Sequence, residues 1–132
     1  MLFRSNRSEA DLKRFFEYTE ALSFAAGDSI LRQGEVDRAL HIVAEGEVEV
    51  VDKAKRRLAV MESGSVFGEQ AFLDAQPRSA SVVARSACRV LRLTPERFED
   101  LRREEPEIAC DLLRDVGRVL SARLRRTTVQ SG

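Results

Sequence analysis

The feature that most constrains the fold is a series of short segments, between about residues 21 and 93, in which apolar side chains recur at every second position. Leu40 and Ile42 show this alternation, and so do Val48 and Val50. A period of two is that of a β-strand. Glycine-containing turns, together with the polar stretch 53–56, separate the segments at roughly ten-residue intervals. Short strands at this spacing predict a sandwich or barrel.

Helical patterns flank the strands. Ser8 is a good N-cap for a helix over about 9–18. Thr94 followed by Pro95 predicts a helix over about 95–104, and Pro106 begins a longer one that runs to about 126. The fold class is therefore mainly β with flanking helices, and the 132 residues suit a single domain over 1–132 with its strands in 21–93.

Composition excludes several functional classes. The chain carries 22 basic and 22 acidic residues, so no basic field marks it as a general nucleic-acid or membrane binder. No apolar run approaches the ~20 residues that span a bilayer, and no secretory signal is visible. Isolated Cys88 and Cys110 predict buried, reduced thiols and a cytoplasmic location.

Nothing in the sequence points to catalysis. His41 is the single histidine, sits within an alternating run and is interpreted as structural. No nucleophile elbow and no phosphate-binding loop of the G-x-x-x-x-G-K-[ST] type is present. Without a set of ligand residues a metal site is not expected. We therefore expect a protein that is not an enzyme and has no metal or cofactor.

One segment interrupts the strand rhythm, at residues 67–81 with the sequence FGEQAFLDAQPRSAS. Gly68 allows backbone N–H groups to approach an anion closely. The first turn of a short helix after it would direct further N–H groups to the same place. Arg78 offers a fork of donors suited to phosphate oxygens, and Glu69 can accept hydrogen bonds from a sugar hydroxyl. An ordinary exposed turn is the alternative reading.

The segment resembles the phosphate-binding cassette of the cyclic-nucleotide-binding domain family, of the catabolite activator, protein kinase A regulatory subunit and cyclic-nucleotide-gated channel type. The matching residues are Phe67, Gly68, Glu69, Ala71, Arg78, Ser79 and Ala80. Gln70 departs from the family's usual aliphatic residue or threonine. The resemblance covers nearly the whole chain. It implies a β-roll, a jelly-roll-like antiparallel barrel of about eight strands, with an N-terminal helix, a short helix in the cassette (residues 67–80) and two C-terminal helices.

The resemblance also implies a ligand, a 3′,5′-cyclic nucleotide, cyclic AMP or alternatively cyclic GMP. Arg78 and Ser79 would hold the phosphate, Glu69 the ribose 2′-hydroxyl, and Val82 would lie against the base. The implied ligand-binding residues are Phe67, Gly68, Glu69, Gln70, Ala71, Arg78, Ser79 and Ala80, with Val82, Thr127 and Thr128 as further contacts.

The partners follow from the same resemblance. The last helix would move on ligand binding and act on an effector protein or domain, or form a homodimer with a second copy. With no helix-turn-helix module after it, DNA binding by this chain is not expected. Three alternatives remain: a β-roll interaction module that binds no nucleotide, a regulatory fragment of a larger channel, transporter or enzyme, and a small cupin-type barrel, although a cupin enzyme usually needs several histidines.

Overall fold

The computed structural model describes residues 8–131, and for residues 123 and 126–131 it describes the backbone alone. In that part of the chain the elements follow in the order α1 (Glu9–Phe16), β1 (Glu20–Phe24), β2 (Ser29–Leu31), β3 (Leu40–Glu45), β4 (Val48–Val51), β5 (Arg57–Met61), β6 (Val66–Phe67), α2 (Glu69–Asp74), β7 (Ser81–Ala84), β8 (Cys88–Leu93), α3 (Pro95–Glu104) and α4 (Pro106–Ser131).

The eight strands form two antiparallel sheets. The first sheet has the order β1-β8-β3-β6 and the second has the order β2-β7-β4-β5. All strand pairs are antiparallel. The predicted fold class, mainly β with flanking helices in a roll, is confirmed. The described strands do not close into one barrel, because each ladder ends within its own sheet of four.

The strand β3, in the interior of the first sheet, is buried on both faces along most of its length. On β3, Leu40 and Ile42 belong to a cluster shared with the helices. Val43 belongs instead to a cluster that contains residues of both sheets. The alternation along β3 therefore separates two buried faces, rather than a buried face from a solvated one.

The helices cover the outer face of the first sheet. Phe15 of α1, Leu101 of α3, and Leu112 and Val116 of α4 are buried in one cluster there. Side-chain caps start two of these helices, since Ser8 Oγ accepts from the Asp11 N–H and Thr94 Oγ1 from the Arg97 N–H, each at 3.1 Å. The helix α1 ends at Phe16, two residues before the expected end, and α4 continues beyond the expected end near residue 126.

Burial differs between the two faces of β5 and between the two cysteines. On β5, the edge strand of the second sheet, Leu58 and Val60 are 59% and 38% exposed, whereas Ala59 and Met61 on the other face are partly buried. Both cysteines are free, but only Cys88 is buried, and the prediction of two buried thiols is wrong for Cys110, which is exposed on α4.

Among the described helices, none is long and apolar enough to cross a membrane.

Two crossovers between the sheets lie side by side. Residues 32–39 lead from β2 in the second sheet to β3 in the first, and residues 68–80 lead back from β6 to β7. The Gly34 N–H donates to the Arg78 carbonyl at 2.9 Å, and the Arg78 N–H donates to the Glu35 carbonyl at 2.8 Å. This short ladder fixes Arg78 against the first crossover.

Leu112 and Leu113 provide a test of this packing on one helix. Leu112 is completely buried, whereas Leu113 is 41% exposed. Leu112→Ala should lower the free energy of unfolding by about 2–5 kcal/mol, because it leaves a cavity under α4. Leu113→Ala, the matched control, should cost less than about 1 kcal/mol. Urea titration followed by circular dichroism measures both values, and equal losses would contradict the described packing of α4.

Candidate functional site

A cavity of about 490 Å³ opens between the second sheet and α2. It is lined by fourteen residues, from the cassette and from four strands of the roll: Leu31, Val50, Leu58, Ala59, Met61, Phe67, Gly68, Glu69, Gln70, Ala71, Arg78, Ser79, Ala80 and Val82. The polar lining comes from the cassette, and the strands supply an apolar wall.

Gly68 makes the sharp turn from β6 into α2. Its φ of 77° is in the left-handed region, where a side chain is strained. An ideal Cβ on Gly68 would lie 2.6 Å from Arg78 Nη1 and 3.2 Å from the Ala39 carbonyl oxygen. A glycine is therefore required here for two reasons, the backbone conformation and the close approach of the arginine.

The guanidinium of Arg78 is held by backbone carbonyls. Nη1 donates to the Gly68 carbonyl at 2.9 Å and Nη2 donates to the Ala39 carbonyl at 2.7 Å. Asp37 Oδ2 lies 3.6 Å from Nη2. The residue is only 4% exposed. Its position is thus determined by both crossovers.

Asp37 links Arg78 to a second cation. Its Oδ1 accepts from Arg92 Nη2 at 3.2 Å. Burial alone would raise the pKa of Asp37, but a hydrogen bond from the Ala39 N–H and the charges of Arg92 and Arg78 hold it below the usual value. Burial lowers the pKa of Arg78, and Asp37 opposes that effect. An arginine still keeps its charge under such conditions, so the cavity wall carries a buried cation.

The Nε atom of that cation stands apart from the two Nη atoms, which donate to carbonyls. Arg78 Nε is buried and has no hydrogen-bond partner among the described residues, while Arg78 lines the cavity. A buried donor without a partner is costly, and an anion in the cavity would remove that cost. Glu69, nine positions earlier in the chain, is 1% exposed and lines the same cavity. The cavity wall therefore combines a cation for an anionic group with a carboxylate that can accept from hydroxyls.

His41 lies directly behind the cassette. It is 2% exposed and its ring stacks on Phe67, with 5.1 Å between the ring centroids. Its Nδ1 lacks a partner among the described residues. Burial, and after it the charge of Arg78, lower the pKa of His41 to about 4. The ring is therefore neutral at pH 7 and adds no second positive charge beside Arg78.

The structure brings together most of the residues implicated from the sequence. Nine of them line the cavity: Phe67, Gly68, Glu69, Gln70, Ala71, Arg78, Ser79, Ala80 and Val82. The side chains of Thr127 and Thr128 lie outside the described residues. That these residues bind a ligand stays a prediction.

The sequence analysis missed two parts of the site. Asp37 and the Ala39 carbonyl carry no local signal, because their partner Arg78 is about forty positions away in the chain. Of the apolar wall from β4 and β5, Val50 could have been found from the alternation along β4, whereas the adjacent Leu58 and Ala59 both line the cavity and do not follow a period of two. In the described part of the chain, no group of three or more His, Cys, Asp or Glu side chains could hold a metal ion.

Gly68→Ala should disrupt the site. The substitution incurs about 1–2 kcal/mol for a left-handed alanine. It also pushes the Arg78 guanidinium from its carbonyl partners, which costs about a further 1–3 kcal/mol. Chemical denaturation of the variant measures the sum as a lower free energy of unfolding.

Gly34→Ala is the matched control for Gly68→Ala. Gly34 has a similar φ of 89°, but a Cβ there would meet nothing within 4 Å. The control should therefore incur only the backbone cost of about 1–2 kcal/mol. Equal destabilisation by both substitutions would show that the approach of Arg78 to Gly68 is unimportant.

His41 should make the fold sensitive to mild acid. The unfolded chain, with a histidine pKa near 6.5, takes up a proton before the folded protein does. Stability that is present above pH 6.5 is then lost as the pH falls toward 4. Between pH 7 and pH 5 the loss should amount to roughly 2 kcal/mol. Denaturation at a series of pH values measures this slope, and His41→Phe should flatten it; an unchanged slope in the variant would contradict the assignment to His41.

Comparisons with known proteins agree with this geometry. A family model described as the cyclic nucleotide-binding domain matches residues 21–105, more than half of the chain. The cyclic AMP receptor protein of Thermus thermophilus is 32% identical over 126 residues, which cover 92% of this chain and 56% of the relative. Glutaminase 2 of Bradyrhizobium diazoefficiens is 34% identical over 101 residues, which cover 76% of this chain but 16% of the relative.

A solved structure shows the same architecture. The crystal structure of the catabolite activator protein of Thermus thermophilus is similar with a TM-score of 0.81 at 29% identity, over 97% of this chain and 60% of that chain. The chain thus spans 16% to 60% of the length of these three relatives. The resemblance that the cassette residues indicated is confirmed, and the chain belongs to the cyclic nucleotide-binding domain family.

Proposed function

We propose that this domain binds a 3′,5′-cyclic nucleotide, cyclic AMP, in the cavity beside α2, and that binding regulates an effector. The observation that carries the proposal is the buried Arg78, whose Nε lacks a partner among the described residues at the wall of a cavity of about 490 Å³. A cyclic phosphate would give Nε an acceptor and neutralise the buried charge.

The neighbouring groups suit the remainder of such a ligand. Glu69, in the first turn of α2, would accept from the ribose 2′-hydroxyl. The N–H groups of residues 69–71 and the Ser79 hydroxyl would contribute to the phosphate. Val50, Met61 and Val82 supply apolar surface for the flat base. The choice of cyclic AMP is supported by the name of the Thermus relative, the cyclic AMP receptor protein.

The binding free energy of a tightly bound nucleotide requires these contacts to act together. A micromolar dissociation constant corresponds to about 8 kcal/mol. One hydrogen bond to a charged group contributes about 1.5–3 kcal/mol. Arg78 and Glu69 alone therefore do not suffice, and burial of the base against the strands must provide part of the affinity.

A packed route leads from the cassette to the last helix. Phe72 of α2 contacts Phe98 of α3 edge to face, with 5.3 Å between the ring centroids. Both rings belong to the cluster that contains Leu112 and Val116 of α4. In the proposed function, ligand contacts with α2 shift the equilibrium between two positions of α4. The shift is limited by the ligand's difference in affinity for those positions.

The effector is the rest of a longer protein, a separate partner, or a second copy that pairs through α4. Glutaminase 2 illustrates a longer protein in which the similar region is a small part. The domain itself is proposed to be cytoplasmic, to perform no catalysis and to make no DNA contact. Its even balance of 22 basic and 22 acidic residues supports the last point.

Ligand binding should stabilise the domain. At 100 times its dissociation constant, cyclic AMP should add about 2.7 kcal/mol to the free energy of unfolding, which raises the melting temperature by several degrees. Arg78→Ala should abolish this rise, because the phosphate loses its cation. Thermal-shift titrations with cyclic AMP, cyclic GMP and 5′-AMP measure the effect, and Arg89→Ala, the same change at an exposed position of β8, is the control.

The variant Glu69→Ala provides a second test of the site, which can be used if the Arg78→Ala variant does not fold. Wild type should bind 2′-deoxy cyclic AMP at least about tenfold more weakly than cyclic AMP, and Glu69→Ala should bind both alike. Failure of all three nucleotides to stabilise wild type would refute the proposed function and favour a module that binds no nucleotide. A larger rise with cyclic GMP would overturn only the choice of base.

A further inference from the structure

Gln70 and Ser79 are joined across the cavity wall. Ser79 Oγ lies 3.1 Å from Gln70 Oε1 and donates to it. Both side chains are exposed, and both residues line the cavity. This bond joins the first turn of α2 to the residue that follows Arg78. It is therefore a contact within the ligand site rather than part of the hydrophobic core.

The chemistry of a hydroxyl makes this contact competitive. A serine hydroxyl has one proton to donate and two lone pairs that accept. While the proton is directed to Gln70 Oε1, Ser79 presents only lone pairs to the cavity. The exocyclic oxygens of a phosphodiester are acceptors without protons. Ser79 can donate to such an oxygen only after its bond to Gln70 is broken.

We propose that Gln70 is an affinity-setting residue, which holds the Ser79 proton in the ligand-free protein and so weakens binding of the anionic phosphate. The inference rests on the proposed function, because it concerns the same ligand. Gln70 need not touch the nucleotide for this effect. It acts through Ser79, and its influence must therefore vanish when the Ser79 hydroxyl is absent.

A double-mutant cycle tests this dependence. Gln70→Met keeps the side-chain length and helix propensity but replaces the amide with a weak acceptor. Calorimetric titration with cyclic AMP should show that Gln70→Met binds roughly two- to tenfold more tightly than wild type, the range expected for release of one ordinary hydrogen bond. In a Ser79→Ala background, the same Gln70→Met change should leave the dissociation constant unaltered.

A matched control separates this effect from a general gain in apolar surface. Gln76→Met makes the same chemical change at an exposed residue of the cassette that does not line the cavity, and it should not alter affinity. Weaker binding by Gln70→Met would overturn the inference and show that the amide binds the ligand directly. An equal gain in the Ser79→Ala background would also overturn it. If wild type binds no cyclic nucleotide, the proposed function itself fails. If wild type binds cyclic AMP but Gln70→Met leaves the dissociation constant unchanged, only the inference about Gln70 fails.

Discussion

The buried guanidinium of Arg78 is the interaction on which the site depends. Arg78 is almost completely buried, and its guanidinium is held by carbonyls from two of the crossovers between the sheets, residues 32–39 and 68–80. Its own backbone is bonded to the first crossover at Gly34 and Glu35. The arginine therefore does two things at once, since it joins two segments far apart in sequence and presents a cation to the cavity.

The surrounding fold makes this burial possible. The first sheet is covered on one face by helices and on the other by the second sheet. The crossovers must pass between these layers, and a side chain that points inward there is removed from water. Asp37 and two carbonyls compensate the charge of Arg78, and a neutral His41 adds no repulsion. The Nε atom of the guanidinium has no hydrogen-bond partner among the described residues.

Much of the fold could be predicted because its signals are local. Alternation and turns indicated the strands, and the caps at Ser8 and Thr94 indicated two helix starts. The alternation of apolar residues did not indicate which faces of the strands are buried. Leu40 and Val43 lie on opposite faces of β3 and both are buried, while Leu58 on the edge strand is exposed. Burial depends on what packs above each face, and that is a property of the whole fold.

The sequence by itself determined the cassette, since Gly68, Glu69 and Arg78 are close in the chain and their chemistry is readable from residue type and spacing. Only the tertiary structure decided how Arg78 is oriented, because Asp37 and Ala39 reach it from another crossover. It likewise decided that Gln70 meets Ser79. The physical reason is that charge and hydrogen-bonding capacity belong to a residue, whereas the partner that uses them is chosen by packing.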